Sequence, residues 1–387
     1  MLSQIIAVTL MNLRNLPSRL GSSSVIVVGI GGVVAVLVTL LAMAGGFSAA
    51  LERGGSPDRA LVLRGGSDSE MSGQVEPEGV RIVSTMPEVA DYSPEMYTVA
   101  DVPKRATGQP ANLIIRGVEP AAFRIRPEVE IIEGRSFEPG KREAIAGLGA
   151  SAEFSGIDLG AKVALRDSDW TIVGLFKANG SAYESELWAD LPVAQSTFRR
   201  GATVQSIRVR LTAPEAFDAL ASRIEGDRRL DLEAHSEEAF YQRQSESLNA
   251  LITNFGYTVA VIMAFGAFFA ALNTMYTAVS TRTVEIATLR ALGFGGAAVM
   301  VSVLIEALGL ALLGGLLGGA IAYFGFNGFT VATLNQASFS QIAFDFAVTG
   351  DLLLLGLIWA LTLGFVGGLF PAARAVRLPI TSALRGE

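Results

Sequence analysis

The chain of 387 residues is 50% hydrophobic and only 17% charged, with a mean hydropathy of +0.44. Soluble globular proteins carry about 25% charged residues, so the composition indicates a membrane protein and argues against a wholly soluble enzyme. The net charge of −7 argues against a nucleic-acid-binding protein, the absence of cysteine excludes disulfides and thiolate metal sites, and a single histidine excludes histidine-rich zinc sites.

Four stretches with almost no charged residues are each long enough to cross a bilayer as a helix. They predict transmembrane helices at residues 22–46, 251–280, 297–324 and 352–370. The first stretch also has features of a secretory signal peptide, because Ala42-Met43-Ala44 resembles a small-x-small cleavage site. Its apolar part is longer than a signal-peptide core, so we expect this helix to be retained.

The basic residues near the ends of the spans predict the orientation of the chain in the membrane. Segments 1–21, 281–296 and 371–387 hold all the basic residues outside the large loop: Arg14, Arg19, Arg282, Arg290, Arg374, Arg377 and Arg385. We therefore expect an amphipathic N-terminal segment, the loop 281–296 and a C-terminal tail on the cytoplasmic side. Residues 47–236 and a short loop at 325–351 are expected outside.

The large external segment has the pattern of an α+β domain. Short apolar runs bounded by glycine or proline predict strands at 60–64, 113–118, 129–133, 162–166, 170–176 and 206–211. Residues 214–224 have helical spacing, and residues 237–250 predict a polar stalk helix that continues into the second span. The predicted fold class is an α-helical membrane protein with four transmembrane helices and a large α+β extracytoplasmic domain between the first and second helices.

Glycines recur at four-residue spacing in the third and fourth predicted spans: Gly314 with Gly318, Gly315 with Gly319, and Gly364 with Gly368. Small residues at this spacing allow transmembrane helices to approach closely. The pattern is compatible with helix packing inside one subunit and equally with a dimer interface.

Glu306 is the only acidic residue inside a predicted span. An unpaired charge in the hydrocarbon core is costly, so this carboxylate is expected to face protein or water and to have a partner. It serves either as a structural hydrogen-bonding group or in a conformational change.

The cytoplasmic loop 281–296 is short, has helical spacing and ends at a natural stop, Gly293. Its apolar residues Val284, Ile286 and Leu289 alternate with charged ones. A short amphipathic helix of this kind either docks on another protein or lies on the lipid surface.

Three groups of residues in this half carry a specific pattern: Asn273-Thr-Met275, Arg282-x-x-Glu285-Ile286-x-x-Leu289-Arg290-x-x-Gly293-Phe294, and Glu306-Ala307. The C-terminal residues add Pro371-Ala-x-Arg374-Ala375, Pro379 and Ala383-Leu384-Arg385. These motifs resemble the permease domain of the MacB/FtsX-like ABC transporters, also called type VII. The layout of one span, a large domain and three spans extends the resemblance to the whole chain, with Asn273 and Glu306 as intramembrane polar residues.

The resemblance implies a multi-pass protein of the bacterial inner membrane that pairs with a second copy or a sister permease. A cytoplasmic ABC ATPase dimer would bind ATP and Mg, and segment 281–296 would be the coupling helix that rests on it. In that helix, Ile286 and Leu289 would be apolar anchors, and Arg282, Glu285 and Arg290 would make polar contacts at the rim. None of the four lysines lies in a phosphate-binding loop motif, so we expect a separate ATPase subunit and no cofactor in this chain.

The resemblance also implies mechanotransmission, in which ATP-driven motion of the coupling helices reaches the external domain through stiff spans. We expect export of an amphipathic small molecule, lipid or lipoprotein, with membrane lipids and a periplasmic adaptor as further partners. The alternative is an FtsX-like regulator that transports nothing and activates a cell-wall hydrolase. The large external segment favours export, because it exceeds what a division-type regulator needs.

Overall fold

The structure is a computed structural model that describes residues 2–14, 20–335 and 340–377. The chain divides into two compact units. The helical unit consists of Met1–Gly45, Ala250–Phe329 and Phe346–Glu387, and the sheet unit consists of Gly46–Asn249 and Thr330–Asp345.

Eleven α-helices occur in the described part of the chain. In chain order they are α1 (Leu2–Arg14), α2 (Leu20–Glu52), α3 (Pro77–Ser84), α4 (Ala121–Ile125), α5 (Leu148–Glu153), α6 (Leu191–Phe198), α7 (Phe217–Gly226), α8 (Glu237–Thr281), α9 (Thr283–Ala291), α10 (Gly296–Phe326) and α11 (Gly350–Arg377).

Twelve strands occur among the same described residues. They are β1 (Arg59–Arg64), β2 (Val89–Pro103), β3 (Pro110–Val118), β4 (Glu130–Gly134), β5 (Glu143–Gly147), β6 (Lys162–Leu165), β7 (Ser168–Lys177), β8 (Glu186–Asp190), β9 (Ser206–Leu211), β10 (Leu232–Ser236), β11 (Thr330–Asn335) and β12 (Ser340–Asp345).

Within the described ranges, four helices are long and apolar enough to cross a membrane. These helices are α2, α8, α10 and α11, and each contains one of the predicted spans. Together with the large domain after the first of them, they confirm the predicted fold class. The predicted stalk helix and second span form one continuous helix, α8.

Two stretches differ from the loops expected from the sequence. The predicted tail at 371–387 begins as helix, because α11 continues through Pro371 to Arg377. Pro379 and the Ala383-Leu384-Arg385 pattern lie outside the described residues. The predicted loop 325–351 contains the antiparallel hairpin β11–β12, whose alternating buried residues pack within the sheet unit.

The hairpin is an integral part of the sheet unit. Ile342 and Phe344 on β12 are 2% and 3% exposed. The Phe344 ring lies edge-on to Phe47, with centroids 5.6 Å apart, and the Ala343 backbone N–H donates to Ser185 Oγ at 2.8 Å. Residues distant in sequence therefore complete the core of this unit.

The main sheet has the strand order β10-β1-β9-β2-β3-β8-β5-β7-β4, with β6 paired to β7. Most neighbours are antiparallel, while the pairs β3–β8 and β5–β7 are parallel. All six strands expected from the sequence occur, and the helix expected at 214–224 begins as a 3-10 turn before α7. Strands β2, β5, β8 and β10 were not predicted.

The two faces of the central strands differ in chemistry because side chains alternate along a strand. One face carries the apolar core, to which Val62, Met96, Ile115, Leu187 and Ile207 contribute. The opposite face carries charged side chains that are also buried: Arg59, Glu95, Arg116, Glu186 and Arg208. Glu70, Arg126 and Glu237 contact them from outside the strands. We call these eight residues the charge network, and each is at most 6% exposed.

Arg116 lies at the centre of the charge network. Its Nε and Nη2 donate to the two carboxylate oxygens of Glu186 at 2.7 and 2.8 Å. Its Nη1 donates to Glu70 at 2.9 Å and to Glu95 at 2.8 Å. A buried guanidinium needs partners of this kind, because removal from water is costly for an uncompensated charge.

The same contacts shift the pKa of Glu70. Burial alone raises the pKa of this carboxyl, but the charges of Arg116 and Arg208 and hydrogen bonds from Arg116 and Ser206 outweigh burial and lower the pKa to about 2. Glu95 has its pKa lowered by Arg126, Arg208 and Arg116 in the same way, against the opposing effect of burial.

The six glycines at four-residue spacing all face other helices of the same helical unit. A Cβ at Gly314 would lie 2.9 Å from the Val27 carbonyl oxygen of α2, and one at Gly318 would overlap the Gly31 carbonyl oxygen. The other four lie between α10 and α11: Gly315 against Ala360, Gly319 against Leu353, Gly364 against Ala311 and Gly368 against Ala307. These contacts favour packing within one subunit.

Gly318→Ala is expected to destabilise the helical unit by about 1–3 kcal/mol, because the added methyl group forces α2 and α10 apart. Thermal unfolding of the purified chain in detergent measures the loss. Gly309→Ala in the same helix is the matched control, since a Cβ there has no atom within 4 Å. Equal stability of the two variants would contradict the packing assignment.

Acid is expected to destabilise the sheet unit between pH 4.5 and 2. The pKa of Glu70 is lower in the folded protein than in the unfolded chain, so its contribution is complete above pH 4.5 and is lost as the pH falls towards about 2. Trp188, which is fully buried and donates to Glu186, reports the loss by fluorescence. Glu70→Gln should be less stable at neutral pH and should show a weaker dependence on pH in this range.

Candidate coupling site

Arg282 is the single residue between helices α8 and α9. Its backbone has φ −107° and ψ 14°, outside helical geometry, and this residue changes the direction of the chain. Its carbonyl oxygen accepts the Ile286 N–H at 2.9 Å and so begins the hydrogen bonding of α9. The orientation of α9 with respect to α8 therefore depends on this one position.

The Arg282 side chain turns inwards and pairs with Glu306 of α10. Nη1 donates to Glu306 Oε2 at 3.0 Å and Nη2 donates to Oε1 at 3.3 Å, and both side chains are 6% exposed. Glu306 lies ten residues after the start of α10, about 15 Å along the helix axis. The partner that the sequence required for Glu306 is thus the arginine at the α8–α9 junction.

This pairing corrects the position expected for Arg282. We expected Arg282 at an exposed rim, but its charge is used inside the helical unit, where it pairs with the buried carboxylate of Glu306. A two-point contact between guanidinium and carboxylate fixes geometry as well as charge. It attaches the junction to α10.

Helix α9 has a buried and an exposed side. Ile286 is 6% exposed and belongs to the core of the helical unit, so it is not available as the apolar docking residue that we expected. Leu289 and Arg290 are half-buried, and Glu285 is exposed. The large apolar side chains exposed in this segment are Val284 and Leu292, at 55% and 73%.

The end of α9 is set by Gly293. Its φ of +96° lies in the left-handed region that favours glycine, and the Phe294 N–H then donates back to the Leu289 carbonyl at 3.1 Å. These bonds satisfy carbonyl groups that a helix end otherwise leaves unpaired. Phe294 is half-buried just beyond this turn.

A small pocket lies beside the Arg282–Glu306 pair. Side chains from α8, α9, α10 and α1 line it, including Met275, Ile286, Val303 and Val8. Val8 of the N-terminal helix is 4% exposed. Asn273 is not part of this arrangement, since it lies on an exposed side of α8.

The residues of the site are recognisable in the sequence, but their pairing is not. A sequence signal for the pair existed, because Glu306 is the only acid within the spans and Arg282 lies at the end of the preceding span. The charge network of the sheet unit gave no comparable signal. Arg208 and Glu95 stand on strands among other polar residues, where a charge usually indicates a solvent-facing side.

Glu306→Gln is expected to destabilise the helical unit by about 3–5 kcal/mol, because it leaves the buried Arg282 guanidinium without a countercharge. The double variant Arg282→Met/Glu306→Leu should lose less than the sum of the single variants Arg282→Met and Glu306→Leu, since no charge then remains buried. Thermal unfolding in detergent measures all four variants. Glu285→Gln, an exposed carboxylate on α9, is the control and should unfold like the wild type; additive losses would contradict the pairing.

Both halves of the chain match the profiles of known protein families. The family profile described as the MacB-like periplasmic core domain matches residues 23–227. A second profile, the FtsX-like permease C-terminal domain, matches residues 257–380 and therefore includes α9 and Glu306.

Two curated relatives carry the name macrolide export ATP-binding/permease protein MacB. The protein from Bdellovibrio bacteriovorus is 24% identical over 389 aligned positions, which cover 92% of this chain and 58% of the relative. The MacB 1 protein from Aeromonas hydrophila is 26% identical over 240 positions, which cover 59% of this chain and 35% of the relative. This chain thus spans only part of the length of these proteins.

Among solved structures, the periplasmic region of MacB from Actinobacillus actinomycetemcomitans aligns with 48% of this chain and 92% of its own length. The TM-score is 0.37 and the sequence identity is 12%. The first profile alone covers more than half of the residues, and the second covers the membrane helices that follow. The chain belongs to the MacB/FtsX-like family of ABC transporter permeases.

Proposed function

We propose that this chain is the permease subunit of a transporter in which a cytoplasmic ABC ATPase drives a conformational change outside the membrane. The observation that carries the proposal is the arrangement of α9. This short helix is held to α10 through Arg282 and Glu306. It exposes Val284 and Glu285, and Leu292 is exposed directly after its last residue. A helix with a fixed inner side and a mixed apolar and charged outer side suits docking on a protein groove.

The proposed contact differs from the one expected from the sequence. Val284 and Leu292 supply the apolar anchors instead of Ile286, and Glu285 supplies the charged contact. Leu289 and Arg290, which are half-buried, border this surface. The ATPase partner binds ATP and Mg in this proposal, and the permease chain itself binds neither.

Transmission from α9 follows two routes. One route is the main chain, because Arg282 joins α9 directly to α8, a helix of 45 residues without a proline. The other is the Arg282–Glu306 contact, which passes motion to α10. A helix without proline has no built-in kink, so a tilt at one end is carried along it.

The orientation that fits this proposal places both termini and α9 in the bacterial cytoplasm and the sheet unit in the periplasm. The distribution of basic residues supports it. A second copy or a sister permease completes the complex. The six paired glycines are occupied by contacts within one subunit, so the proposed subunit interface uses other surfaces.

The cargo that we propose is an amphipathic small molecule, a lipid or a lipoprotein, delivered with the help of a periplasmic adaptor. The printed names of the relatives, which include macrolide export, and the match to the MacB-like core domain over residues 23–227 support this choice. An FtsX-like regulator of a cell-wall hydrolase is the competing outcome of the tests.

Glu285→Ala/Leu292→Ser is expected to weaken binding of the ATPase and to reduce transport, because both side chains lie on the exposed surface of the α9 segment. Co-purification of the ATPase and substrate efflux from cells measure the effect. Thermal stability should not change, since neither residue is buried.

Glu246→Ala is the matched control, as it removes an exposed carboxylate from α8. Normal ATPase binding by the double variant would overturn the docking assignment. In the wild-type complex, stimulation of ATP hydrolysis by a macrolide or a lipid supports export. Stimulation by a cell-wall hydrolase alone would establish the regulatory function instead.

A further inference from the structure

The charge network contacts the two chain segments where the membrane-crossing helices α2 and α8 end and begin within the sheet unit. Glu237 is the first residue of α8 and is fully buried. Its carboxylate contacts Arg208 of β9, and Arg59 Nε of β1 lies 2.7 Å from Glu237 Oε2. The start of α8 is therefore attached to two neighbouring strands.

The turn that follows α2 is attached at the same point. The Ser56 N–H donates to Glu237 Oε2 at 3.2 Å. Arg59 Nη2 donates to the Gly54 carbonyl oxygen at 3.3 Å. One carboxylate and one guanidinium thus connect the end of α2, the start of α8 and strand β1.

Aromatic side chains close this junction against water. Tyr183 OH accepts from Arg208 at 2.7 Å and lies 2.8 Å from Tyr241 OH, one turn into α8. The Arg126 guanidinium lies over Trp188, 4.4 Å from the ring centroid. Electrostatic contacts are stronger when water is excluded, so burial strengthens the contacts of this junction.

Stability does not explain why charges occupy this position. A buried ion pair adds little stability compared with apolar side chains of similar volume, whereas its directional hydrogen bonds specify one geometry. Apolar packing alone would allow α8 to slide or rotate on the sheet at small cost. The hydrogen bonds that Glu237 accepts from Arg208 and from the Ser56 N–H, together with its ion pair with Arg59, oppose both movements.

We propose that the charge network is the junction through which movement of α2 and α8 reaches the sheet unit. Glu237 is a positioning residue: it fixes the first turn of α8 and the turn after α2 to the β1–β9 edge of the network. A displacement of either helix then moves the sheet as a rigid body. This inference rests on the proposed function, because it assumes ATP-driven movement of the helices.

The test uses the full chain with its ATPase in lipid nanodiscs. The chain has no cysteine, so Asp167→Cys in the sheet unit and Phe324→Cys in the helical unit introduce one spin-label pair; both positions are more than 80% exposed. Dilution with unlabelled chain leaves one labelled copy per complex. Pulsed electron paramagnetic resonance compares the label distance without nucleotide and with ATP and vanadate.

Glu237→Gln is expected to lose most of the nucleotide-dependent change in label distance, because α8 is then no longer fixed to the sheet. ATP hydrolysis should stay near the wild-type rate, because α9, the proposed contact with the ATPase, is unchanged. Two matched substitutions serve as controls. Glu238→Gln alters the adjacent, exposed carboxylate. Glu128→Gln removes another partner of Arg59, at 2.6 Å, that does not belong to α8. Both should retain the change.

An unchanged distance response in Glu237→Gln would overturn the inference and leave the proposed function intact. Loss of the response in Glu128→Gln to the same degree would also overturn it, because general weakening of the network would then suffice. A wild-type complex without any response would overturn the proposed function itself, and the inference with it. If Glu237→Gln does not fold, Tyr241→Phe replaces it, since this variant removes only the α8 hydroxyl that contacts Tyr183 and Arg208, and the same outcomes apply.

Discussion

A guanidinium removed from water loses a hydration free energy of several kcal/mol. For the buried arginines described here, ion pairs and hydrogen bonds with carboxylates offset this loss. In the helical unit, Arg282 pairs with Glu306. In the sheet unit, Arg116 pairs with Glu70, Glu95 and Glu186. The Arg282–Glu306 contact lies at the junction of α8 and α9, and the network around Arg116 extends to Glu237 at the start of α8. The placement of α8 therefore depends on where opposite charges meet.

Both buried sites are ion pairs, but they position different parts of the molecule. Arg282 changes the chain direction between α8 and α9 and lets α9 present a defined outer surface. Glu237, at the other end of α8, fixes that helix to the sheet. Helix α8 therefore has an ionic contact at each end, and the apolar stretch between them needs only to stay helical. Directional bonds at the ends and non-directional packing between them suit a helix that moves as one piece.

The features readable from the sequence are those that depend on neighbouring residues. Long uncharged stretches gave the four membrane helices, and the spacing after Arg282 gave α9 with its stop at Gly293. Features that depend on distant residues were not readable. Strand β2 contains Pro94 and Glu95, which resemble a loop until β3 and β9 are known to flank them. The burial of Ile286 likewise depends on α10, and the sequence alone placed this residue on the outer surface.

Because it contains the hairpin β11–β12, the extracytoplasmic part is not one continuous segment of the chain. The sheet unit is discontinuous in sequence: residues 46–249 supply most of it, and 330–345, inserted between α10 and α11, supply the rest. A fragment ending at residue 249 lacks Ile342 and Phe344, so the apolar surface around Phe47 loses its cover. Replacing this unit by that of another permease would therefore require both segments to be exchanged together, including the one that lies between two membrane helices.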